Sequence, residues 1–104
     1  MVSKEKIDKI KEMISKDEVV LFMKGTKYLP NCGFSSHVVN ILNKLEINFQ
    51  DYNVLSDESL RASIKNFSNW PTIPQLYFKG EFIGGCNIVD QMYHEGELGK
   101  LLKS

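Results

Sequence analysis

Apolar residues recur along the chain with two periods, one typical of helices and one typical of strands. Ile7, Ile10, Met13 and Ile14 recur at helical spacing and predict an amphipathic first helix over residues 3–15. The apolar run within residues 18–23 predicts a strand that is buried on both faces. The same criteria predict a helix over 33–44, a strand over 49–54, a helix from about residue 56, strands over 75–78 and 81–83, and two closing helices that Gly96 separates.

The order of these elements, α-β-α-β-α-β-β-α-α, indicates the fold class. A β-α-β unit followed by a hairpin gives an α/β fold, with a four-stranded mixed sheet flanked on both faces by about five helices. No repeat, linker or low-complexity tract interrupts the chain, so residues 1–104 are predicted to form one domain. Ser56 is predicted to cap the third helix, because Asp57 and Glu58 place acidic side chains in its first turn.

Composition and charge exclude several classes of partner. The 104 residues carry 13 basic and 13 acidic side chains, and Arg61 is the only arginine. Nucleic acids and acidic membranes recruit proteins with a basic excess, so we expect neither as a partner. No apolar run approaches the length of a membrane span.

The N-terminus and the cysteines bear on the compartment. The first residues contain acids among the lysines, unlike a signal peptide or an Arg-rich transit peptide. Two cysteines 54 positions apart form no disulfide framework and favour a reducing compartment. We expect a mitochondrial or other organelle matrix if a presequence has been removed, and the cytoplasm otherwise.

Cys32 lies where a predicted loop passes into a predicted helix. A thiol in the first turn of a helix faces unpaired backbone N–H groups and the positive end of the helix dipole, and both favour its thiolate. Lys24, at the end of the preceding strand, adds positive charge to the same corner. A lone cysteine is more often a small buried hydrophobic residue, but the position of Cys32 at a helix start favours a functional thiolate.

The residues after Cys32 restrict what its thiolate can do. A dithiol oxidoreductase needs a second thiol three positions later, one helical turn away, and that position holds Ser35. This motif therefore has no second thiol that could resolve a mixed disulfide at Cys32. Cys32 must use a thiol from another molecule or act as a metal ligand. Gly33 has no side chain and lets a bulky partner approach the sulfur.

Two further segments carry weaker signals of ligand binding. Residues 70–75, Trp-Pro-Thr-Ile-Pro-Gln, place Pro74 at the entrance of a strand, which suggests a cis bond and a backbone at Ile73 that is free to pair with an extended peptide. An ordinary rigid turn explains that segment equally well. Residues 84–87, Gly-Gly-Cys-Asn, open a helix whose free N–H groups suit a carboxylate, although a plain turn is the commoner explanation.

Together these motifs resemble those of the CGFS-type monothiol glutaredoxins. The matching segments are Lys-Gly-Thr at 24–26, Cys-Gly-Phe-Ser at 32–35, residues 70–75 and Gly-Gly-Cys at 84–86, in the family's order and near its spacing. The resemblance covers about residues 4–103. It implies the thioredoxin/glutaredoxin fold, glutathione binding, and a [2Fe–2S] cluster that two subunits share.

The resemblance also implies roles for individual residues. Cys32 matches the active-site cysteine that ligates the cluster, and two glutathione thiolates with the second subunit's thiolate complete the iron coordination. Such proteins are homodimers when loaded with the cluster and monomers when empty. The residues that match glutathione-binding positions are Lys24 and Arg61 for the glycine carboxylate, Ile73 for the cysteinyl part, and Cys86 with Asn87 for the γ-glutamyl end.

Two positions depart from the family's pattern. Asn87 stands where the family usually has aspartate, and it keeps the hydrogen bond but loses the charge, so weaker glutathione binding is expected. Lys27 stands where the family usually has proline, so a looser loop is expected before Cys32. Neither change removes a cluster ligand.

Four other side chains invite a functional interpretation. His37 and His94 belong to separate predicted helices with no paired partner nearby, so we expect surface histidines rather than metal ligands. Trp70 is expected to pack beside the site. Cys86 could resolve oxidised Cys32 if the two loops meet, although lining the glutathione site is the favoured role.

Three functions are consistent with the sequence. The favoured one is a carrier or scaffold, dimeric when loaded, that passes a [2Fe–2S] cluster to acceptor proteins, and Ser35 and the loop before Cys32 support it. The alternative is a glutathione-dependent thiol-disulfide oxidoreductase that deglutathionylates proteins through Cys32 alone. An inert adaptor of the same fold is disfavoured, because every part of the glutathione site is present.

Overall fold

The computed structural model describes residues 3–103, which form four strands and five helices. In chain order the elements are α1 (Lys4–Lys16), β1 (Val19–Met23), α2 (Gly33–Lys44), β2 (Gln50–Asn53), α3 (Glu58–Ser68), β3 (Gln75–Phe78), β4 (Glu81–Gly84), α4 (Cys86–His94) and α5 (Glu97–Leu102). None of the described helices is long and apolar enough to cross a membrane.

The strands form one mixed sheet in the order β2-β1-β3-β4. β1 pairs in parallel with β2 and antiparallel with β3, and β3 pairs antiparallel with β4. Phe22 lies opposite Gln75, and Leu76 lies opposite Gly84. The end of β1, the start of β3 and the end of β4 therefore meet at one end of the sheet. The predicted four-stranded mixed α/β sheet is confirmed.

β1 separates two hydrophobic cores, because successive side chains of a strand point to opposite faces. Val19, Leu21 and Met23 pack with apolar residues of α2, α4 and α5. Val20 and Phe22 pack with apolar residues of α1 and α3 on the other face. All five side chains are buried, which explains why the sequence of β1 is continuously apolar and does not alternate.

Most predicted boundaries lie within one residue of the observed ones. The prediction that Ser56 caps α3 is wrong, because the side chain of Asp57 accepts the hydrogen bond from the Leu60 N–H at 3.0 Å. The Ser56 hydroxyl instead donates to the Asn53 carbonyl at 2.9 Å. Ser56 thus closes the turn after β2, and the cap moves one residue along the chain.

Candidate functional site

Cys32 occupies the N-cap position of α2. Its pKa is lowered from the ordinary value, first by the backbone N–H of Ser35 and then by that of Phe34, while partial burial raises it. The positive charge of Lys24 lowers the pKa further. The free N–H groups of a first helical turn therefore favour the Cys32 thiolate.

Ser35 is fully buried and connects the first turn of α2 with the end of β1. Its hydroxyl oxygen accepts a hydrogen bond from the Lys24 N–H at 3.1 Å. The same side chain forms a hydrogen bond that helps to lower the pKa of Cys32. The position of a resolving thiol is thus occupied by a residue that holds Lys24 and Cys32 together.

Backbone hydrogen bonds hold the loop before α2. Thr26 and Leu29 exchange N–H···O bonds of 3.3 and 3.1 Å, and the Asn31 N–H donates to the Lys24 carbonyl at 3.0 Å. Gly25 has a φ of +89°, and an added Cβ would lie 2.6 Å from the Leu29 oxygen and the Asn31 nitrogen. Only glycine fits this position without moving the loop.

Lys27 anchors the same loop by contacts with a residue of β2 and with the residue before that strand, and the expectation of a looser loop stays a prediction. Its N–H donates to Asp51 Oδ2 at 2.8 Å, and its ammonium donates to the Phe49 carbonyl. The ammonium also lies 4.6 Å from the centre of the Phe49 ring. Tyr28 and Leu29 follow this anchor and project into solvent, with exposed fractions of 88% and 72%.

A recess of about 340 Å³ opens beside Cys32. It brings together every predicted site residue except Arg61. The residues that line it are Lys24, Cys32, Phe34, Lys65, Trp70, Pro71, Thr72, Ile73, Pro74, Gly85, Cys86, Asn87 and Ile88. We call this the lysine-side recess, because its lining includes two lysines and no aspartate or glutamate.

Lys65 is the second cation of the lysine-side recess. It lies on α3 one turn after Arg61, and Arg61 does not line the recess. The sequence gives no basis for choosing between two cations four positions apart on one helix face, so Lys65 was missed. The role of Arg61 stays a prediction.

A buried glutamine fixes the wall of this recess that precedes β3. The peptide bond before Pro74 is cis, as predicted. The amide of the fully buried Gln75 donates to the carbonyls of Trp70 and Thr72 at 3.1 and 3.2 Å. Its oxygen accepts the Tyr77 hydroxyl at 3.1 Å. The sequence feature that indicates this structural role is the polar Gln75 at the start of the otherwise apolar strand β3.

Trp70 packs against Phe82 of β4 and against Gly85, the residue that precedes α4. Its ring centre lies 5.7 Å from that of Phe82, which confirms a packing role beside the site. A Cβ on Gly85 would lie 3.0 Å from the indole nitrogen, and the indole N–H is buried with no hydrogen-bond partner among the described residues. Close contact, not a hydrogen bond, therefore positions this ring.

A second recess, of about 520 Å³, lies on the other side of Cys32. We call it the aspartate-side recess, and it is lined by Cys32, Gly33, Phe34, His37, Cys86, Asn87 and Asp90. A Cβ at Gly33 would meet nothing within 4 Å, so this side of the sulfur is open to a ligand.

Cys86 differs from Cys32 in its electrostatic surroundings. Both are free thiols. Burial raises the pKa of Cys86, and the negative charges of Asp90 and Cys32 raise it further. Cys86 therefore lines both recesses as a protonated thiol.

Asp90 contacts both histidines, so the expectation that they lack a partner is wrong. His37 Nε2 lies 2.6 Å from Asp90 Oδ1, and His94 Nε2 lies 3.4 Å from the same oxygen. Within residues 3–103 no group of three His, Cys, Asp or Glu side chains could hold a metal ion. A metal centre at Cys32 therefore needs ligands from outside the chain.

A larger recess of about 910 Å³ lies between α1 and α3. It is lined by acidic, basic and neutral side chains, and it contains neither cysteine nor histidine. Thiol chemistry is therefore confined to the two smaller recesses at Cys32.

Iodoacetamide at neutral pH should alkylate Cys32 several-fold faster than Cys86. The lowered pKa of Cys32 gives it the larger thiolate fraction, and the raised pKa of Cys86 gives it the smaller one. As pH falls, alkylation of Cys86 should therefore be lost first. Peptide mass spectrometry over a time course measures both rates, and equal rates would contradict the assignment of Cys32 as the reactive thiol.

Comparison with known proteins agrees with this arrangement. The Glutaredoxin family model matches residues 19–83. The chain is 56% identical over 103 residues to probable monothiol glutaredoxin 2 of Rickettsia typhi, covering 99% of this chain and 93% of the relative. It is 56% identical over 90 residues to glutaredoxin-related protein 5, mitochondrial, of Danio rerio, covering 86% of this chain and 58% of the relative. The solution structure of reduced poplar apo GrxS14 matches with a TM-score of 0.81 at 47% identity, covering 92% of this chain and 88% of that one.

Proposed function

The chain belongs to the monothiol glutaredoxin family and has its thioredoxin/glutaredoxin fold, and on this basis we propose that it binds glutathione and carries a [2Fe–2S] cluster between two copies of itself. The main support is a thiolate-favouring Cys32 with a buried Ser35 at the position of a resolving thiol. The cluster is cargo, which the dimer passes to iron–sulfur acceptor proteins in cluster assembly and redox homeostasis.

In the proposed complex, glutathione lies in the lysine-side recess. Lys24 and Lys65 bind its glycine carboxylate, because an ammonium–carboxylate hydrogen bond is charge-assisted. The backbone of Ile73 pairs with the cysteinyl part. Cys86 and Asn87, which line both recesses, meet the γ-glutamyl end.

The chain supplies one thiolate to the cluster, and the other ligands come from outside it. Cys32 has the lowered pKa that a thiolate ligand needs, and the pKa of Cys86 is raised. Thiolates are the usual ligands of such clusters, so the thiolates of two glutathiones and a second Cys32 complete the set. This stoichiometry makes the loaded protein a homodimer and the empty protein a monomer.

Exposed apolar side chains near Cys32 support contact with other proteins. Phe34 is 63% exposed and lines both recesses, and Tyr28 and Leu29 project from the anchored loop before α2. Exposed apolar groups that cluster around a functional group are typical of protein–protein contacts. A second copy and the acceptor proteins are the proposed partners of this face, and neither nucleic acid nor a membrane is.

Reconstitution tests this function. After incubation with iron, sulfide and glutathione, the protein should show the visible absorption of a [2Fe–2S] cluster. Addition of an apo acceptor of such clusters should move that absorption from the donor to the acceptor on a gel-filtration column. Failure to develop any visible absorption would contradict the carrier function.

The favoured thiolate of Cys32 also supports an alternative, a glutathione-dependent thiol-disulfide oxidoreductase. In that reaction the Cys32 thiolate attacks the glutathione sulfur of a glutathionylated protein and releases the protein thiolate. A second glutathione thiolate then releases glutathione disulfide and restores the Cys32 thiolate. The carrier function instead predicts little turnover in a glutathione-coupled disulfide reduction assay, because Ser35 cannot supply the second thiol with which a dithiol glutaredoxin resolves a mixed disulfide. Turnover equal to that of a dithiol glutaredoxin would favour this enzyme over the carrier.

A reducing compartment is the proposed location. Both cysteines are free thiols, which suits such a compartment. The Danio rerio relative is named as mitochondrial, which supports a mitochondrial or other organelle matrix. The cytoplasm is the alternative.

A further inference from the structure

The aspartate-side recess contains a carboxylate that the proposed function does not use. Asp90 follows Asn87 by three positions on α4, so the two side chains lie one turn apart on the same helix face. Both line this recess together with Cys86. Among the residues that line either recess beside Cys32, within the described part of the chain, Asp90 is the only acidic one.

Both histidine contacts of Asp90 fall on one of its two oxygens. His37 Nε2 and His94 Nε2 lie 2.6 and 3.4 Å from Oδ1. The hydrogen bonds and ion pairs of residues 3–103 include none to Oδ2, and the Asp90 side chain is 38% exposed. Oδ2 can therefore accept a hydrogen bond from a ligand in the recess.

We propose that Asp90 Oδ2 binds the free ammonium group at the γ-glutamyl end of glutathione. This assignment rests on the proposed function, which places that end of the ligand against Cys86 and Asn87. Both of those residues line both recesses, so a ligand that reaches them from the lysine side also reaches the aspartate side. Asn87 can donate and accept hydrogen bonds but carries no charge, and an ammonium binds more strongly to an ionised oxygen. Asp90 supplies that charge one turn along α4.

The two histidines are the charged neighbours of Asp90. The charged groups that act on Asp90 are His37 from α2 and His94 from its own helix, and the neighbouring Cys86 thiol is kept protonated. No charged group of α5 or β4, the other elements packed on α4, acts on it within the described residues. The pKa of Asp90 is lowered from its ordinary value, first by its hydrogen bond with His37, so the carboxylate is ionised and can bind an ammonium.

The test compares two ligands by calorimetry. S-methylglutathione has the ammonium but no reactive thiol, and its analogue with a glutaryl group in place of γ-glutamyl lacks only the ammonium. Asp90→Asn should weaken binding of S-methylglutathione about threefold, the size expected for a partly exposed ion pair. The same variant should bind the glutaryl analogue as the native protein does. The control is Glu81→Gln, an exposed acid on β4 outside both recesses, and it should change neither affinity.

The remaining outcomes separate this assignment from the proposed function. An equal loss of affinity for both ligands in Asp90→Asn would mean that Asp90 affects binding by positioning α4 and not by contacting the ammonium. That result would overturn the assignment. Unchanged binding of S-methylglutathione by Asp90→Asn would overturn it too. Failure of the native protein to bind S-methylglutathione would contradict the glutathione site itself, a result that needs no variant.

Discussion

Cys32→Ser protein should stay colourless and monomeric after incubation with iron, sulfide and glutathione, whereas the native protein turns brown and dimeric. The loss of cluster binding should be complete, because Cys32 is the one thiolate ligand that each chain contributes to the cluster. A serine hydroxyl stays protonated at neutral pH and cannot replace it. Visible absorption and mass in solution measure the two effects on the same sample.

Cys86→Ser is the matched control for this variant. Cys86 lines the same recesses, but the pKa of its thiol is raised, so its loss should leave colour and dimer in place. Full cluster binding by Cys32→Ser, or loss of the cluster only in Cys86→Ser, would contradict the assignment of the ligand.

Lys24→Ala and Lys65→Ala should each weaken binding of S-methylglutathione about tenfold or more. Each removes a charge-assisted hydrogen bond to the glycine carboxylate, worth roughly 1.5–3 kcal/mol when partly shielded from water, and a factor of ten in affinity corresponds to about 1.4 kcal/mol. The S-methyl ligand keeps the measurement independent of Cys32, whose pKa also depends on the charge of Lys24. Calorimetry on the empty protein gives the affinities.

Arg61→Ala tests the one predicted site residue that the recess does not include. If Lys65 is the second cation of the site, Arg61→Ala should change the affinity much less than Lys65→Ala does. A tenfold loss in Arg61→Ala with none in Lys65→Ala would restore the role first predicted for Arg61. Lys100→Ala, a lysine on α5 outside both recesses, controls for the change in net charge.

The fold was predictable because the sheet has two buried faces and each helix has one. Because β1 is buried on both faces, its sequence is continuously apolar. Because α1 and α2 are each buried on one face, their apolar residues recur with the helical period. The cap of α3 was not predictable, because Ser56 and Asp57 are both good capping residues. The choice depends on the Asn53 carbonyl, which binds the Ser56 hydroxyl.

The candidate site was predictable where its chemistry is local in sequence. The position of Cys32 at a loop–helix boundary favours a thiolate through the N–H groups of its own helix. Contacts between distant parts of the chain were missed. Lys27 is anchored by Asp51, 24 positions away, and His37 binds Asp90, 53 positions away. Such pairs depend on how β2 and α4 pack beside the site. The spacing of apolar residues within one element does not predict that packing.

The mass of the protein reconstituted with and without glutathione tests most directly the claim that glutathione and Cys32 together hold the cluster between two chains. With iron, sulfide and glutathione, light scattering on a gel-filtration column should show a brown species of twice the chain mass, with one cluster for two chains. Without glutathione, the same treatment should leave a colourless monomer. A brown species that forms equally well without glutathione, or a brown monomer, would contradict that claim.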